Sequence, residues 1–302
     1  MASFAELNRL TKDVQNDSVQ NDGTVNDSIL NEIKMNGYAI VPGVFSPEKV
    51  EKARHLFYEW IDTVPHVLQH HIDFSFQGLM KYAQIGHQKH TWFVKTDPCV
   101  QKVFKDLWNT DELVTGFDGT CWIPSSWNRP DVHWVHTDQA ACAKGLQCIQ
   151  GYVSLTSNVE RSFVVYEGSH LLHEPYMTFK GYTGKNNWRI ISGSYLDPIQ
   201  PLRKVLTVNA GDMVLWDSRT FHQNQYGSLP EERLVQYVCF LPRDHLLNTP
   251  GQRNLRRKYY EKRRTTSHWP YPLSANPQHP EEDLYVPLTD LSEYDDEIRK
   301  LL

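Results

Sequence analysis

The sequence predicts an α+β chain: helices first, then a half built as a β-sandwich or jelly roll. Three observations predict it. Apolar residues recur at helical spacing up to about residue 108. From about residue 114 the texture turns into short alternating or fully apolar segments. Turn residues separate those segments throughout. A chain of 302 residues with 40% apolar content can bury a large core, which suits one decorated domain or one domain with a small extension. The boundaries expected are a flexible tail at 1–27, the main domain at 28–245 and an extension at 246–302.

The elements follow in order. VQNDSVQNDGTVNDS (14–28) is a degenerate polar near-repeat with nothing to bury, so order is expected to begin near Ser28. Ile29, Leu30 and Ile33 then share a helical face, and Gly37 stops the helix. YAIVPG (38–43) reads as a strand. Ser46-Pro47-Glu48 starts a helix with a hydroxyl cap, a proline in the first turn and an acid at the positive end. Val50, Ala53, Phe57, Trp60 and Ile61 give it one apolar stripe. Residues 63–93 show no period. A further helix is expected from Asp97-Pro98 to Trp108, with Val100, Val103, Phe104 and Leu107 on one face. Strands are expected at CWI (121–123), HWVH (133–136), LQCIQGYVSLT (146–156), SFVVYEG (162–168), KVLTV (204–208), DMVLW (212–216) and LVQYVCFL (234–241).

DVHWVHTDQ (131–139) holds the most informative motif, His136-x-Asp138. Alternating strand side chains put i and i+2 on one face, so imidazole and carboxylate project together. GDMVLWDSRTFHQN (211–224) offers a third ligand, His222. Two histidines and one carboxylate form a facial set that leaves coordination positions open, which suits Fe(II) and oxygen chemistry. A second H-x-D, His71-Ile72-Asp73, sits in the aperiodic stretch and is set aside for want of a strand. Arg233 follows His222 after a turn, QYGSLP (225–230), and is expected on the neighbouring strand. There its guanidinium suits the bidentate grip of a carboxylate on a diacid cosubstrate.

In order along the chain, NGYAIVPGVFSPEKVEKAR, His136-Thr137-Asp138, YEGSH (166–170), GDMVLWDSRTFH (211–222) and Arg233 resemble the phytanoyl-CoA dioxygenase family of Fe(II)/2-oxoglutarate oxygenases. The resemblance spans roughly residues 29 to 241. It implies a double-stranded β-helix, a jelly-roll or cupin-like core flanked by N-terminal helices. It also implies iron ligands at His136, Asp138 and His222, a cosubstrate anchor at Arg233, and the use of Fe(II), 2-oxoglutarate and O2 with release of succinate and CO2. Tyr152 stands where relatives often carry an aromatic that borders the cosubstrate, and Asn224 where many carry serine. Halogenating relatives lack the carboxylate, so Asp138 argues for hydroxylation or another oxidation without halide.

Substrate contacts are expected from Gln139 beside Asp138, and from Trp122, Trp127 and Asn128 upstream. RTTSHWPYP (264–272) either folds over the entrance or packs elsewhere. The expected substrate is a small metabolite, and the family's CoA thioester is not carried over, because no nucleotide-binding motif is present. Other classes remain: a macromolecule-directed hydroxylase, a non-catalytic jelly-roll binding protein, or a Zn or Mn isomerase or hydrolase that leaves Arg233 unexplained. Nucleic acid is not expected as a partner, with net charge −5. The basic run Arg253–Arg264 is expected as a solvated helix facing the acidic stretch 281–297. No run of about 18 apolar residues suggests a membrane span. The first residues lack the pattern of a secretory signal, and the five cysteines form no C-x-x-C pair, so a cytoplasmic home without disulfides is expected.

Overall fold

Strand alternation organises the molecule. The computed structural model describes residues 25–275, 284 and 286–302. Of the expected tail, 1–24 lie outside these residues, and 25–27 begin the helix Val25–Asn36, which starts before the expected Ser28. The strands are β1 Tyr38–Val41, β2 Leu79–Met80, β3 Leu113–Thr115, β4 Thr120–Ile123, β5 His136–Thr137 and β6 Ile149–Ser154, then β7 Phe163–Tyr166, β8 Arg189–Ile190, β9 Arg203–Val205, β10 Met213–Asp217, β11 His222–Asn224 and β12 Arg233–Pro242.

A seven-stranded sheet runs β1-β10-β6-β12-β4-β2, with β3 also on β12, and a five-stranded sheet runs β8-β5-β11-β7-β9. Every pairing among them is antiparallel. On the larger sheet Val153, Met213, Leu215 and Leu234 face the helices. Their neighbours Tyr152, Val214, Trp216 and Val235 face inward, against Phe163 and Val165 of the smaller sheet. The period-2 pattern thus yields a helical layer, a sheet, an inter-sheet core and a second sheet, which is the predicted jelly roll.

The two capped helices form as their sequences predict. Ser46 Oγ accepts from the Lys49 amide at 3.4 Å at the head of Pro47–Thr63. Asp97 Oδ1 accepts from the Cys99 amide at 2.8 Å at the head of Pro98–Trp108. The expected HWVH strand shrinks to β5. The Trp134 amide donates to the Gln223 side chain at 3.1 Å and its indole to Asn224 O at 3.0 Å, so side-chain bonds replace the ladder there. The aperiodic stretch contains the helices Pro65–Phe74 and Lys89–Lys95. Their buried faces carry His71, His90, Thr91 and Lys95, polar residues that erase a hydropathy period. His71 bonds Tyr82 Oη at 2.6 Å and Trp122 O at 2.8 Å. On a helix, i and i+2 point to nearly opposite sides, so His71 and Asp73 do not converge.

The C-terminal part packs into the same layers. Val286, Leu291, Ile298 and Leu301 join the helical core, and Trp269 and Tyr271 pack with Cys148, Cys239 and Leu241. The basic helix Pro250–Glu261 is not simply a solvated one. Arg256 is buried, with Nη1 and Nη2 donating to Asn248 Oδ1 at 3.0 and 2.6 Å, and Tyr260 lies 6.0 Å from Trp92. Among the described residues no ion pair joins it to the acidic stretch; those acids pair instead with Lys89, Arg299 and Lys300.

Three buried histidines make stability acid-sensitive. Burial pushes His71 down to about 4, and His87 and His90 down to about 3. In the unfolded chain histidine titrates near 6.5, so between about pH 6.5 and pH 4 the unfolded state binds protons that the fold refuses. Stability is therefore expected to be level above neutrality and to fall as the pH drops below about 6.5, by ~1.4 kcal/mol per pH unit for each histidine. Urea midpoints measured from pH 8 to pH 5 check this; a level curve across that range would contradict it.

Candidate metal centre

Two strands that lie far apart in sequence meet in register at the centre. β5 and β11 pair so that His136 stands opposite His222, with ring centroids 4.2 Å apart. Asp138 comes one residue after β5, and its amide donates to Ser218 O at 2.8 Å, which fixes it beside the β10–β11 connection. Ligand atoms of His136, Asp138 and His222 all lie within 4.8 Å of one another. Asp138 Oδ2 is 3.7 Å from His136 Nε2 and 3.2 Å from His222 Nε2.

Both imidazoles are oriented in the same way. His136 Nδ1 donates to Trp134 O at 3.0 Å, and His222 Nδ1 donates to Thr220 O at 2.9 Å. A carbonyl only accepts, so each proton sits on Nδ1 and each Nε2 lone pair points into the centre. Burial, and next His222, push His136 down to about 3, leaving it neutral as a ligand must be. Burial works against the charge on Asp138, but the imidazoles of His268, His136 and His222 outweigh it and hold the carboxyl well below the usual range. A divalent cation fits this donor set: two neutral imidazoles and one carboxylate, buried together and aimed at one point.

The trio lines a cavity of about 660 Å³, a volume suited to a small ligand. Asn224 lines it too, with Nδ2 donating to Tyr237 Oη at 3.1 Å and Oδ1 accepting from Arg233 Nη2 at 3.3 Å. Arg233 and Tyr152 lie behind Asn224 rather than on the cavity wall. Arg233 is 0% exposed and its guanidinium sits 4.9 Å over the Tyr152 ring. Arg233 Nε and Nη1 and the Tyr152 hydroxyl have no hydrogen-bond partner of ordinary geometry, so the cluster suits an incoming carboxylate.

Four expected substrate residues are elsewhere. Gln139 does not reach the cavity: its Nε2 donates to Gly145 O at 2.9 Å and its Oε1 accepts from Ser218 Oγ at 2.9 Å, stapling the loop after Asp138. Trp122 falls on the helix-facing side of β4, where its ring stacks 5.4 Å from His71, while Cys121 and Ile123 face inward. Trp127 stacks on the other side of His71 at 5.2 Å, and Asn128 is exposed away from the cavity.

Other residues line the cavity instead. Trp134 stacks on His136 at 4.7 Å and Trp188 lies 5.8 Å from it. The segment 264–272 reaches the cavity. Thr266, Ser267, His268 and Trp269 line it, His268 Nε2 is 3.9 Å from Asp138 Oδ2, and the Trp269 indole donates to Asp138 O at 3.1 Å. Lys81 and Asp118 contribute from beside β2 and β4. Lys81 is exposed, and the carboxylates of Asp138 and Asp118 act on its ammonium. Trp134 was within reach of sequence reasoning, since i−2 from His136 shares its face. Lys81, Trp188 and His268 sit in aperiodic stretches that carry no such signal.

Among curated proteins, Ava biosynthesis cluster protein O of Aspergillus versicolor is 26% identical over 245 residues, which cover 70% of this chain and 76% of that protein. Two solved structures share the fold with TM-scores of 0.51. EctD from S. alaskensis, with 2-oxoglutarate and 5-hydroxyectoine, is 13% identical and aligned over 74% of this chain and 78% of its own. SnoK, a non-heme α-ketoglutarate-dependent carbocyclase from nogalamycin biosynthesis, is 16% identical over 74% and 88%. The family model described as phytanoyl-CoA dioxygenase matches residues 33–225, from the first helix through β11 and across His136, Asp138 and His222, with Arg233 just beyond. On that match and the geometry of the centre, the chain belongs to the phytanoyl-CoA dioxygenase family of iron- and 2-oxoglutarate-dependent oxygenases.

Proposed function

We propose that the chain hydroxylates a small-molecule metabolite, with His136, Asp138 and His222 holding Fe(II) and Arg233 holding the far carboxylate of 2-oxoglutarate. The observation that carries this reading is the pairing of a two-histidine, one-carboxylate centre with a buried guanidinium that keeps two nitrogens, Nε and Nη1, unpaired. Bound there, the iron and cosubstrate supply the oxidising chemistry of O2 with release of succinate and CO2.

The chain's own residues bind, orient and exclude. Trp134 O and Thr220 O fix the tautomers of the two histidines. Asp138 offsets one unit of metal charge and, as a carboxylate ligand, leaves no place for a halide, which favours hydroxylation. Tyr152 and Asn224 flank Arg233 and offer a hydroxyl and an amide to the same carboxylate. The cavity, closed on one side by residues 266–269, supports a small substrate. No described helix is long and apolar enough to cross a membrane. The five free cysteines support a reducing compartment, and we place the protein in the cytoplasm.

Anaerobic protein supplied with Fe(II) and 2-oxoglutarate is expected to develop a weak visible charge-transfer band. A metabolite extract added with air is expected to yield succinate together with a product heavier by one oxygen. Absence of both band and succinate would refute the reading.

A further inference from the structure

Two lysines, Lys81 and Lys185, and two aspartates, Asp118 and Asp138, line the cavity, but the carboxylates already have partners or a task. Asp118 Oδ1 accepts from Lys95 Nζ at 2.7 Å, an ion pair that offsets its charge although Oδ2 has no partner, and this buried lysine also donates to Gly116 O at 2.8 Å. Asp138 faces the metal centre. Lys81 remains. It follows β2 directly, lines the cavity, and makes no hydrogen bond or ion pair with any described residue. Its position is set by tight packing: a Cβ on Gly119 would meet Met80 O at 2.0 Å, so the neighbouring chain holds the end of β2 against β4. Lys185, exposed on the cavity's rim, adds a second cation. With Asp118 held by Lys95 and Asp138 committed to the metal centre, the exposed Lys81 ammonium favours an anionic guest.

The walls say what the rest of that guest is. Trp188 lines the cavity 5.8 Å from His136, yet 45% of its surface stays exposed. Trp134 lies against the same imidazole at 4.7 Å, and Trp269 closes the side near Asp138. Indole faces beside a metal centre suit a flat apolar body.

Resting on the function proposed above, we propose that the substrate is a flat, largely apolar small molecule bearing a carboxylate or similar oxyanion, gripped by Lys81 while its body lies against Trp188. The anion then sits apart from the cosubstrate's far carboxylate, which belongs to Arg233.

The test uses the anaerobic Fe(II) protein with 2-oxoglutarate and two probes of one shape, indole-3-acetate and its uncharged amide, titrated by calorimetry. The acid is expected to bind about tenfold more tightly than the amide, as one charge-assisted contact allows. Lys81→Met is expected to bring the two affinities together, and Lys81→Arg to keep the preference. Trp188→Ala is expected to weaken both probes alike. Equal affinities in the natural protein, failure of both probes to bind, or a preference that survives Lys81→Met would each overturn the proposal. So would a Lys81→Met protein whose only change is weaker 2-oxoglutarate binding, since Lys81 would then serve the cosubstrate. The charge-transfer band, read on the same samples, reports separately on the metal and cosubstrate; its absence would overturn the proposed function, while the acid-to-amide ratio still judges Lys81.

Discussion

His222→Ala is expected to lose iron and turnover together. His222 sits on β11 directly across from His136, and its Nε2 is 3.2 Å from Asp138 Oδ2. Alanine leaves one imidazole and one carboxylate to hold the ion. Losing only an outer partner of a ligand typically lowers metal affinity or activity by ~10–100-fold, so losing the ligand itself should exceed that range. Iron retained per chain after gel filtration is expected to fall from near one to near zero, and succinate release to fall below detection. The backbone pairing does not depend on the imidazole, so far-UV circular dichroism should be unchanged. His136→Ala is expected to behave in the same way and to abolish the charge-transfer band. Asp138→Asn is the sharper variant: it keeps the shape and removes the charge that offsets the metal. A His222→Ala protein that kept its full iron would show that the centre is not where the three side chains meet.

The centre was legible because strand geometry is regular. Alternation put His136 and Asp138 on one face, the stretch 211–224 offered His222, and the pairing of β5 with β11 within the smaller sheet sets His222 opposite His136. The decoy at His71 could be set aside for the same reason, since it lacked a strand. What alternation does not decide is which face a residue takes when a strand is short and apolar on both sides. Trp122 was expected at the cavity and faces the helices, because in β4 all four residues are buried and hydropathy cannot tell the faces apart. Gln139 was expected at the mouth because it neighbours Asp138, yet it is turned inward to staple a loop. The substrate wall was less legible still. Lys81, Trp188 and His268 come from connections whose course is set by tertiary packing, and no local period marks them.

Arg233→Leu separates stability from function in a way that a merely structural arginine would not. The guanidinium is 0% exposed, and Nε and Nη1 lack partners; Nη2 has a 3.3 Å bond to Asn224 and the ring face of Tyr152 lies 4.9 Å away. Replacing a buried, poorly paired charge by an apolar side chain of similar bulk is often neutral or stabilising by ~1–4 kcal/mol. The variant should therefore melt at the same temperature as the natural protein or higher when no cosubstrate is present. With 2-oxoglutarate the order reverses. The natural protein gains stability by mass action, and the variant gains little, because truncating one partner of a buried charge pair costs ~2–5 kcal/mol, or about 30- to several-thousand-fold in Kd. Arg233→Lys keeps the charge but not the fork, so its thermal shift should fall between the two. Melting curves with and without 2-oxoglutarate decide the matter. If Arg233→Leu shifted upward with cosubstrate as far as the natural protein does, the anchor would lie elsewhere. If the variant instead melted much lower without cosubstrate, Arg233 would be part of the core's own bonding rather than a grip held open for a ligand.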